Sequence, residues 1–115
     1  MPPEVRNEIP PGTLDMLILR TVAQGGPMHG FHVADTIQQR TEDVLRVEEG
    51  SLYPALQRML IQGWLAGEWG KTPENRRARY YKLTAAGRKH LEREISRYQV
   101  VSRAIGRVLR PVEEA

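Results

Sequence analysis

The sequence contains no cysteine and no long apolar run. The absence of cysteine among the 115 residues excludes disulfide bonds and thiolate metal sites. No segment approaches the run of about 20 apolar residues that a transmembrane helix requires, and the N-terminus lacks the apolar core of a signal peptide. We therefore expect a cytoplasmic protein that makes no contact with a membrane. A chain of this length is expected to form one domain with a modest core.

Acidic residues are scarce over one long stretch of the chain. Residues 71–110 contain three acids and twelve cations, so their net charge is +9, whereas residues 1–70 carry −4. A basic half indicates a polyanionic partner such as nucleic acid. The alternative is that a long helix carries solvated arginines without any ligand. The cations are Lys71, Arg76, Arg77, Arg79, Lys82, Arg88, Lys89, Arg93, Arg97, Arg103, Arg107 and Arg110.

The segment GSLYPALQRM, residues 50–59, has a proline within an amphipathic helical pattern. Apolar residues recur at i, i+4, i+7 and i+8 from Leu52, as on one buried helix face. Because proline lacks an N–H and clashes with the preceding turn, we expect Pro54 in the first turn, after a turn and cap at Gly50-Ser51. A start at Tyr53 is the alternative, because residues before proline avoid the helical region.

One side of this predicted helix is polar and has an exposed start. At 100° per residue, Pro54, Gln57, Arg58 and Ile61 face outward. The free N–H groups and the positive end of the helix dipole can meet a phosphate. Gln57 and Arg58 can form bidentate hydrogen bonds with adenine and guanine, respectively. The residues expected to face the core are Leu52, Ala55, Leu56, Met59 and Leu60.

Two further helices are predicted before this segment. Thr13 is expected to cap a first helix that runs to about Gln24 and ends at Gly25-Gly26-Pro27. A second helix is expected from about Gly30 to Arg40. The side chains that this second helix should bury are Phe31, Ala34 and Ile37.

A hairpin and a long helix are predicted to follow. Residues 64–69 and 79–83 are β-prone and are separated by the turn-rich segment GKTPENRRA. Pairing Tyr81 with Leu83 on the inner face leaves Tyr80 and Lys82 outside, and the reverse arrangement remains open. Thr84 is expected to cap a last helix over residues 85–109, about 37 Å long.

The order of these elements predicts a winged helix-turn-helix. Three helices precede a hairpin with a basic tip, and in that fold the third helix enters the major groove while the wing lies along the backbone. The predicted fold is mainly α with a small β-hairpin, followed by a long C-terminal dimerisation helix. We expect an N-terminal arm at residues 1–12, the DNA-binding domain at 13–84, the dimerisation helix at 85–110 and a tail at 111–115.

The last helix has a heptad seam that favours a homodimer. Its apolar positions step by 4, 3, 4, 3 and 4 residues, with Ser102 as the one weak point. The first helix of the same chain could cover part of this seam, and a second chain related by two-fold symmetry could cover the rest. The seam consists of Leu91, Ile95, Tyr98, Ser102, Ile105 and Leu109.

Four motifs span nearly the whole chain, and they are GTLDMLILRTV, MHGFHVADTIQQR, EEGSLYPALQRMLIQGWL and RRARYYKLTAAGRKHL. They resemble the PadR family of bacterial transcriptional regulators, in its short form with a single C-terminal helix. The resemblance implies a dimeric winged-helix protein that binds double-stranded operator DNA, most often as a repressor, and releases it on a small-molecule or other signal. It implies no cofactor.

The resemblance also assigns positions to the DNA interface. Ser51, Tyr53 and Pro54 match the DNA-facing start of the recognition helix, and Arg76, Arg77 and Arg79 match the wing. Some members hold flat aromatic ligands between subunits with aromatic residues of the last helix. Here that helix offers Tyr98 and no tryptophan, so no effector is identified. The full set of expected DNA contacts is Ser51, Tyr53, Pro54, Gln57, Arg58, Lys71, Arg76, Arg77, Arg79 and Lys82.

Several residues have a second interpretation. Tyr53 either packs at the edge of the core or contacts a phosphate. Trp64 and Trp69 are expected to pack in the hairpin and against helices rather than to form a ligand cage. The rival function is a winged-helix module that binds proteins and no DNA, but Arg58 and the wing arginines argue against it.

Metal binding and catalysis are the remaining alternatives. His29, His32 and Asp35 have a spacing that could cluster on one helix face, but His29 is expected at the helix cap and no fourth ligand is evident. Glu48 and Glu49 are adjacent, so their carboxylates should diverge, and no nucleophile or phosphate loop accompanies them. We expect solvated acids near a helix start, no metal and no enzyme.

Overall fold

The computed structural model describes residues 9, 10 and 12–112. Most of the predicted arm at 1–12, and residues 113–115 of the predicted tail, lie outside this part of the chain. Within it, four helices and three strands form a mainly α fold with a small antiparallel sheet. The elements are α1 (Leu14–Gly25), β1 (Met28–His29), α2 (Gly30–Arg40), α3 (Glu49–Ile61), β2 (Leu65–Lys71), β3 (Arg77–Leu83) and α4 (Ala85–Leu109).

The sheet has the strand order β1-β3-β2, and all its pairs are antiparallel. The predicted hairpin is confirmed, but each strand extends two residues further toward the tip, to Lys71 and from Arg77. Strand β1 was not predicted. It has only two residues, and Met28 pairs with Tyr81 of a strand more than 50 positions away, so no local pattern reveals it.

Helix α3 begins one turn earlier than either predicted start. Glu48 is the N-cap, and its carbonyl accepts hydrogen bonds from the N–H groups of Ser51 and Leu52 at 3.0 and 2.9 Å. Pro54 therefore lies inside the helix rather than in its first turn. The carbonyl that the proline ring crowds, and that its missing donor leaves unpaired, belongs to Gly50, which is exposed at the helix start. This position tolerates the proline.

The end of α3 is fixed by Gly63, as predicted. Gly63 has a φ of 81°, in the left-handed region that glycine adopts without strain. Its N–H donates to the Leu60 carbonyl, and the Trp64 N–H donates to the Met59 carbonyl, at 3.1 and 3.0 Å. This pair of hydrogen bonds is a Schellman motif, which satisfies the last carbonyl groups of the helix.

One apolar core joins all four helices to the hairpin. The side chains of α3 that were expected to face inward do so, with Leu60 half-buried. Phe31 was expected in the core, but it is 68% exposed. The buried stripe of α2 consists of Gly30, Val33 and Ile37, and at 100° per residue Phe31 lies well outside it. The predicted burial of Phe31 is therefore wrong, because the buried side of α2 starts at the neighbouring Gly30.

The two threonine caps differ. Thr84 accepts a hydrogen bond from the Gly87 N–H at 2.9 Å, so the predicted cap of α4 is confirmed. Thr13 precedes α1, but its hydroxyl donates to the Pro10 carbonyl at 2.8 Å and makes no cap bond to the helix. Thr13 therefore occupies the predicted N-cap position of α1, but its side chain makes no capping hydrogen bond.

Helix α4 is anchored to the hairpin at its start. The Thr84 hydroxyl donates to the Gly63 carbonyl at 2.6 Å, and the His90 ring stacks on Trp64 with centroids 3.6 Å apart. A Cβ at Gly87 would lie 2.1 Å from the Trp64 carbonyl oxygen, so only glycine allows this approach. None of the described helices is long and apolar enough to cross a membrane.

Candidate nucleic-acid interface

Helix α3 is held by one side and presents the other to solvent. Leu52, Ala55, Leu56 and Met59 are buried, whereas Ser51, Pro54, Gln57 and Ile61 are exposed. The exposed side includes the first turn, where N–H groups have no intrahelical acceptor. A helix anchored in this way can enter a groove without losing its packing against the core. The predicted division of α3 into an inner and an outer side is thus confirmed.

Tyr53 packs and is also accessible. A Cβ at Gly30 would lie 2.9 Å from the Tyr53 Cε1 and 3.2 Å from its hydroxyl oxygen, so the ring covers the start of α2 closely. The residue nevertheless remains 46% exposed. The structure therefore supports the packing interpretation and leaves an edge of the ring open to a ligand.

Arg58 is engaged within the chain. Its Nη2 atom lies 2.5 Å from Oδ1 of Asp15, which links α3 to α1. Relative to Gln57, Arg58 is rotated by 100° toward the edge of the exposed side. The side chain is exposed, as expected, but an ion pair with an acidic residue of α1 was not foreseen, because the two residues are 43 positions apart.

The wing has a short, well-defined tip. The Asn75 N–H donates to the Thr72 carbonyl at 2.8 Å, and the Arg76 N–H donates to the Thr72 hydroxyl at 3.1 Å. Asn75 has a φ of 67°, in the left-handed region. It closes a three-residue hairpin loop that follows a turn with Pro73. This tight turn brings Lys71 opposite Arg77. Arg76 is exposed at the end of the tip.

The hairpin has two faces with different side chains. The inner face carries Tyr81 toward the core, so the preferred of the two predicted orientations is correct. Since side chains alternate along a strand, Tyr80 and Lys82 lie on the outer face. The Tyr80 hydroxyl donates to the Lys71 carbonyl at 2.9 Å. The residues that share the inner face with Tyr81 toward the tip are Trp69, Lys71, Arg77 and Arg79.

Arg77 and Arg79 lie against Trp69. The guanidinium carbon of Arg77 is 4.4 Å from the centroid of the Trp69 ring, and that of Arg79 is 5.8 Å away. Trp69 contacts these arginines of its own hairpin and is 57% exposed, whereas Trp64 packs on His90 as expected. Four of the predicted DNA contacts, Lys71, Arg76, Arg77 and Arg79, thus lie at the tip or on the inner face. Lys82 is on the other face.

Tyr81, on the inner face of the wing, lies near residues of two elements. Burial raises the pKa of the Tyr81 hydroxyl, the Arg79 guanidinium opposes this rise, and the Tyr53 hydroxyl adds to it. These electrostatic effects require both side chains to lie near Tyr81. Tyr53 belongs to α3 and Arg79 to β3. Residues of both α3 and the wing thus lie near the buried Tyr81 ring.

The predicted seam of α4 is split between two environments. Leu91 is 3% exposed and belongs to the core of its own chain, so its assignment to a dimer seam is corrected. Ile95 packs against the same core. Further along, Ser102, Ile105 and Leu109 are exposed, and Tyr98 is about half exposed. Helix α1 covers the first part of α4.

The candidate metal residues have other partners. The His29 side chain is the N-cap of α2 and accepts a hydrogen bond from the His32 N–H at 3.3 Å, which confirms its expected capping position. Asp35 accepts a hydrogen bond from the Gln39 amide at 3.0 Å. Among residues 9, 10 and 12–112, no group of three His, Asp or Glu side chains could hold a metal ion. Glu48 and Glu49 are exposed acids at the start of α3.

The fold and this surface define a winged-helix DNA-binding regulator, and comparison with known proteins agrees. The model of the transcriptional regulator PadR-like family matches residues 18–93. The chain belongs to this family. It is therefore a transcriptional regulator and not an enzyme.

Solved structures and a sequence relative extend the likeness beyond the matched segment. A transcriptional regulator from Clostridium thermocellum superimposes with a TM-score of 0.78 at 22% identity, covering 86% of this chain and 95% of that one. A PadR family transcriptional regulator from Eggerthella lenta gives a TM-score of 0.74 at 27% identity, covering 88% and 85%. An uncharacterized protein of Lysinibacillus sphaericus is 26% identical over 101 residues, 88% of this chain and 92% of that one.

Proposed function

We propose that this regulator binds operator DNA as a homodimer, represses transcription there, and releases the DNA on a signal of unknown identity. The observation that carries the proposal is that the chain presents both an exposed polar side of α3 and an arginine-bearing inner face of the wing. A helix suits the major groove, and cations suit the phosphates on either side.

Helix α3 is assigned the sequence-reading role. Gln57 lies near the centre of the exposed side and has the amide pair that adenine accepts, and Arg58 can meet guanine once it leaves Asp15. Ser51, Tyr53 and Pro54, at the start of the helix, are assigned to the flanking phosphates. Arg58 would exchange the Asp15 carboxylate for a base edge, so its guanidinium group would be paired both without and with DNA.

The wing is assigned the sequence-independent part of the affinity. Lys71, Arg76, Arg77 and Arg79 make no salt bridge with any described residue, so their charge is free to neutralise phosphates. Lys82 is proposed as a weaker contact, because it leaves the strand on the outer face.

The exposed part of α4 is assigned to the dimer. Tyr98, Ile105 and Leu109 lie within about 40° of one another around the helix axis, and Ser102 lies beside them. Together they form an apolar strip that a second copy of α4 could cover around a two-fold axis. Two copies would then present two recognition helices to two half-sites.

The releasing signal is proposed to act where the start of α1 lies beside the middle of α4. An open cavity of about 400 Å³ lies between the start of α1 and the middle of α4, with Tyr98 in its wall. A compound that bound there would alter how α4 packs and thus the separation of two recognition helices. Its other lining residues are Gly12, Thr13, Met16, Glu94, Arg97 and Val101.

The test measures DNA binding and assembly on the same sample. Fluorescence anisotropy with fragments from upstream of the protein's own gene should give tighter binding than a random duplex at moderate salt. Sedimentation equilibrium of the free protein should give twice the monomer mass. If neither upstream nor genomic fragments bind better than the random duplex, the operator proposal is wrong and the protein-interaction module is favoured.

A further inference from the structure

Trp69 has an unusual setting for an exposed tryptophan. It lies on the inner face of the wing, 57% exposed, with the Arg77 guanidinium carbon 4.4 Å from its ring centroid. The Arg79 guanidinium carbon is 5.8 Å from the same centroid. An isolated exposed indole would leave a large apolar ring in water. Here the ring lies beside two guanidinium groups, and both belong to the proposed DNA surface.

Gly67 provides the second part of this arrangement. A Cβ at Gly67 would lie 2.5 Å from Nε of Arg79 and 3.2 Å from its Cζ, so the guanidinium group crosses the strand at Gly67 and a methyl group there would displace it. The φ of Gly67 is not in the left-handed region, so the backbone itself does not require glycine. Glycine inside a strand weakens the strand, and close approach of another group is the usual reason for it.

The buried part of the Arg79 side chain makes no hydrogen bond with the described residues. Its Nε is buried and has no partner among the described residues. Neither Arg77 nor Arg79 forms a salt bridge within the described part of the chain. The positions of both guanidinium groups are therefore set by contact with Trp69 and Gly67 and not by acidic partners. Their charge remains available.

We propose that Trp69 and Gly67 are positioning residues that hold Arg77 and Arg79 in place for the DNA backbone before DNA arrives. An arginine loses much side-chain freedom when it binds a phosphate, and this loss opposes binding. A side chain already confined by an aromatic ring and a glycine gap loses less. A tryptophan ring confines the guanidinium group and leaves its charge intact, whereas an acidic residue would neutralise that charge. The inference rests on the proposed DNA binding.

The first test is a double-mutant cycle of Trp69→Leu and Arg77→Ala. Leucine keeps apolar bulk but lacks the ring quadrupole. We expect Trp69→Leu to weaken operator and random DNA alike by about two- to fivefold, the range for an exposed cation–π pair. The salt dependence should keep its slope, because no charge is lost, whereas Arg77→Ala should reduce the slope by about one. In the Arg77→Ala background, Trp69→Leu should retain less than half of its effect.

Three results would overturn the positioning role. An undiminished effect of Trp69→Leu in the Arg77→Ala background would show that the indole contacts DNA itself. A Trp69→Leu protein that binds as well as wild type would show that the ring has no role. Wild type that binds no duplex at all would remove the proposed function, and the inference with it.

A second cycle tests the glycine. Gly67→Ala should weaken DNA binding, since the new methyl group displaces Arg79, and should have no further effect in an Arg79→Ala background. Glu68→Asp, which keeps the charge of the exposed neighbouring position on the outer face of β2, is the control and should leave DNA binding unchanged. A Gly67→Ala protein that melts normally and binds DNA as wild type does would refute the role of Gly67. A loss that persists in the Arg79→Ala background would refute it too.

The arrangement can also be observed without DNA. In a Trp64→Phe protein, Trp69 is the remaining tryptophan, and its fluorescence reports the guanidinium over its ring. Arg77→Ala should change the emission of this protein, whereas Lys82→Ala, on the outer face, should not. Equal emission from Trp64→Phe and from Trp64→Phe with Arg77→Ala would mean that the contact between Arg77 and Trp69 does not persist in solution.

Discussion

The wing and the second half of α4 both project from the core, but they expose opposite chemistry. The wing presents Lys71, Arg76, Arg77 and Arg79, whereas residues 98–109 of α4 present an apolar strip. Charged surface gains from a polyanion through the release of counterions. Apolar surface gains from another apolar surface and nothing from phosphate. We therefore propose different partners for the two regions, DNA for the wing and a second copy of the chain for the apolar strip.

The two halves of α4 differ in what covers their apolar residues. Leu91 and Ile95 continue the same heptad pattern, yet they pack against the core of their own chain. The pattern alone does not distinguish an intramolecular from an intermolecular seam, because both require the same spacing. Only the length of α4 does so, since the helix extends beyond the elements that cover its start.

The largest expected effect comes from charging the apolar strip. Ile105→Glu with Leu109→Glu should give monomers, because two carboxylates per chain would be buried without counter-ions, and symmetry doubles the number. Each monomer would hold one half-site and lose the gain from linking two, commonly a factor of about 10²–10⁴ in affinity. Both residues are exposed in the chain itself, 53% and 75%, so the fold should remain.

Ser96→Glu with Val100→Glu is the matched control for this variant. It adds the same charge to the opposite side of α4, about 160° and 200° around the helix axis from Tyr98, where both residues are exposed. It should remain dimeric and bind operator DNA nearly as wild type does. Sedimentation and anisotropy on each protein decide the matter. A charged-strip variant that stays dimeric, or a monomer with wild-type operator affinity, would contradict the assignment of α4.

A smaller effect is expected from the recognition helix. Arg58→Ala should cost about 1–3 kcal/mol on the cognate site, with the loss concentrated at particular base pairs. Asp15→Asn removes the partner of Arg58 but leaves the guanidinium free to read DNA, so cognate affinity should be kept. Anisotropy against a set of single-base operator variants separates the two. Equal losses for both variants would mean that Arg58 acts through its ion pair and reads no base.

The wing should change the salt dependence rather than the sequence preference. Arg76→Ala and Arg77→Ala should each weaken all duplexes alike and reduce the slope of log affinity against log salt by about one unit. Lys82→Ala, on the outer face, should change the slope less. Titrations at several salt concentrations measure these slopes. If the wing variants alter sequence preference while Arg58→Ala does not, the roles of wing and helix are reversed.

The smallest effect is expected for the stability of the free protein. The Arg58–Asp15 pair joins two exposed or partly exposed groups, and such pairs contribute at most about 1 kcal/mol. Asp15→Asn should therefore change the free energy of unfolding by less than this amount, measured by urea denaturation. A larger loss would mean that α1 depends on this pair for its position against α3.

Most of the fold could be predicted because its signals are local. The period of Leu52, Leu56 and Met59 identified α3, and Thr84 and Gly63 marked a helix start and a helix end. The start of α3 was misplaced because Pro54 was given the first turn. Gly50 and Ser51 were interpreted as a turn and cap before the helix, although both lie inside it.

The candidate site was harder to predict, because its contacts are not local. The polar side of α3 and the basic tip follow from spacing and composition. The Arg58–Asp15 pair, strand β1 and the arrangement of Trp69 with Arg77 depend on which elements meet in space. One local signal was present: Gly67, Trp69 and two arginines at alternating positions in facing strands share a face if the strands pair in the observed register.

The most direct test of operator binding is a footprint on DNA from upstream of the protein's own gene. Two symmetric half-sites should be protected, about 34–36 Å apart from centre to centre, which is one turn of the duplex. In the proposed dimer each chain contributes one α3, so two recognition helices should occupy two sites. Protection no stronger than on random DNA at moderate salt, or a single half-site bound by the dimer, would contradict binding by paired recognition helices.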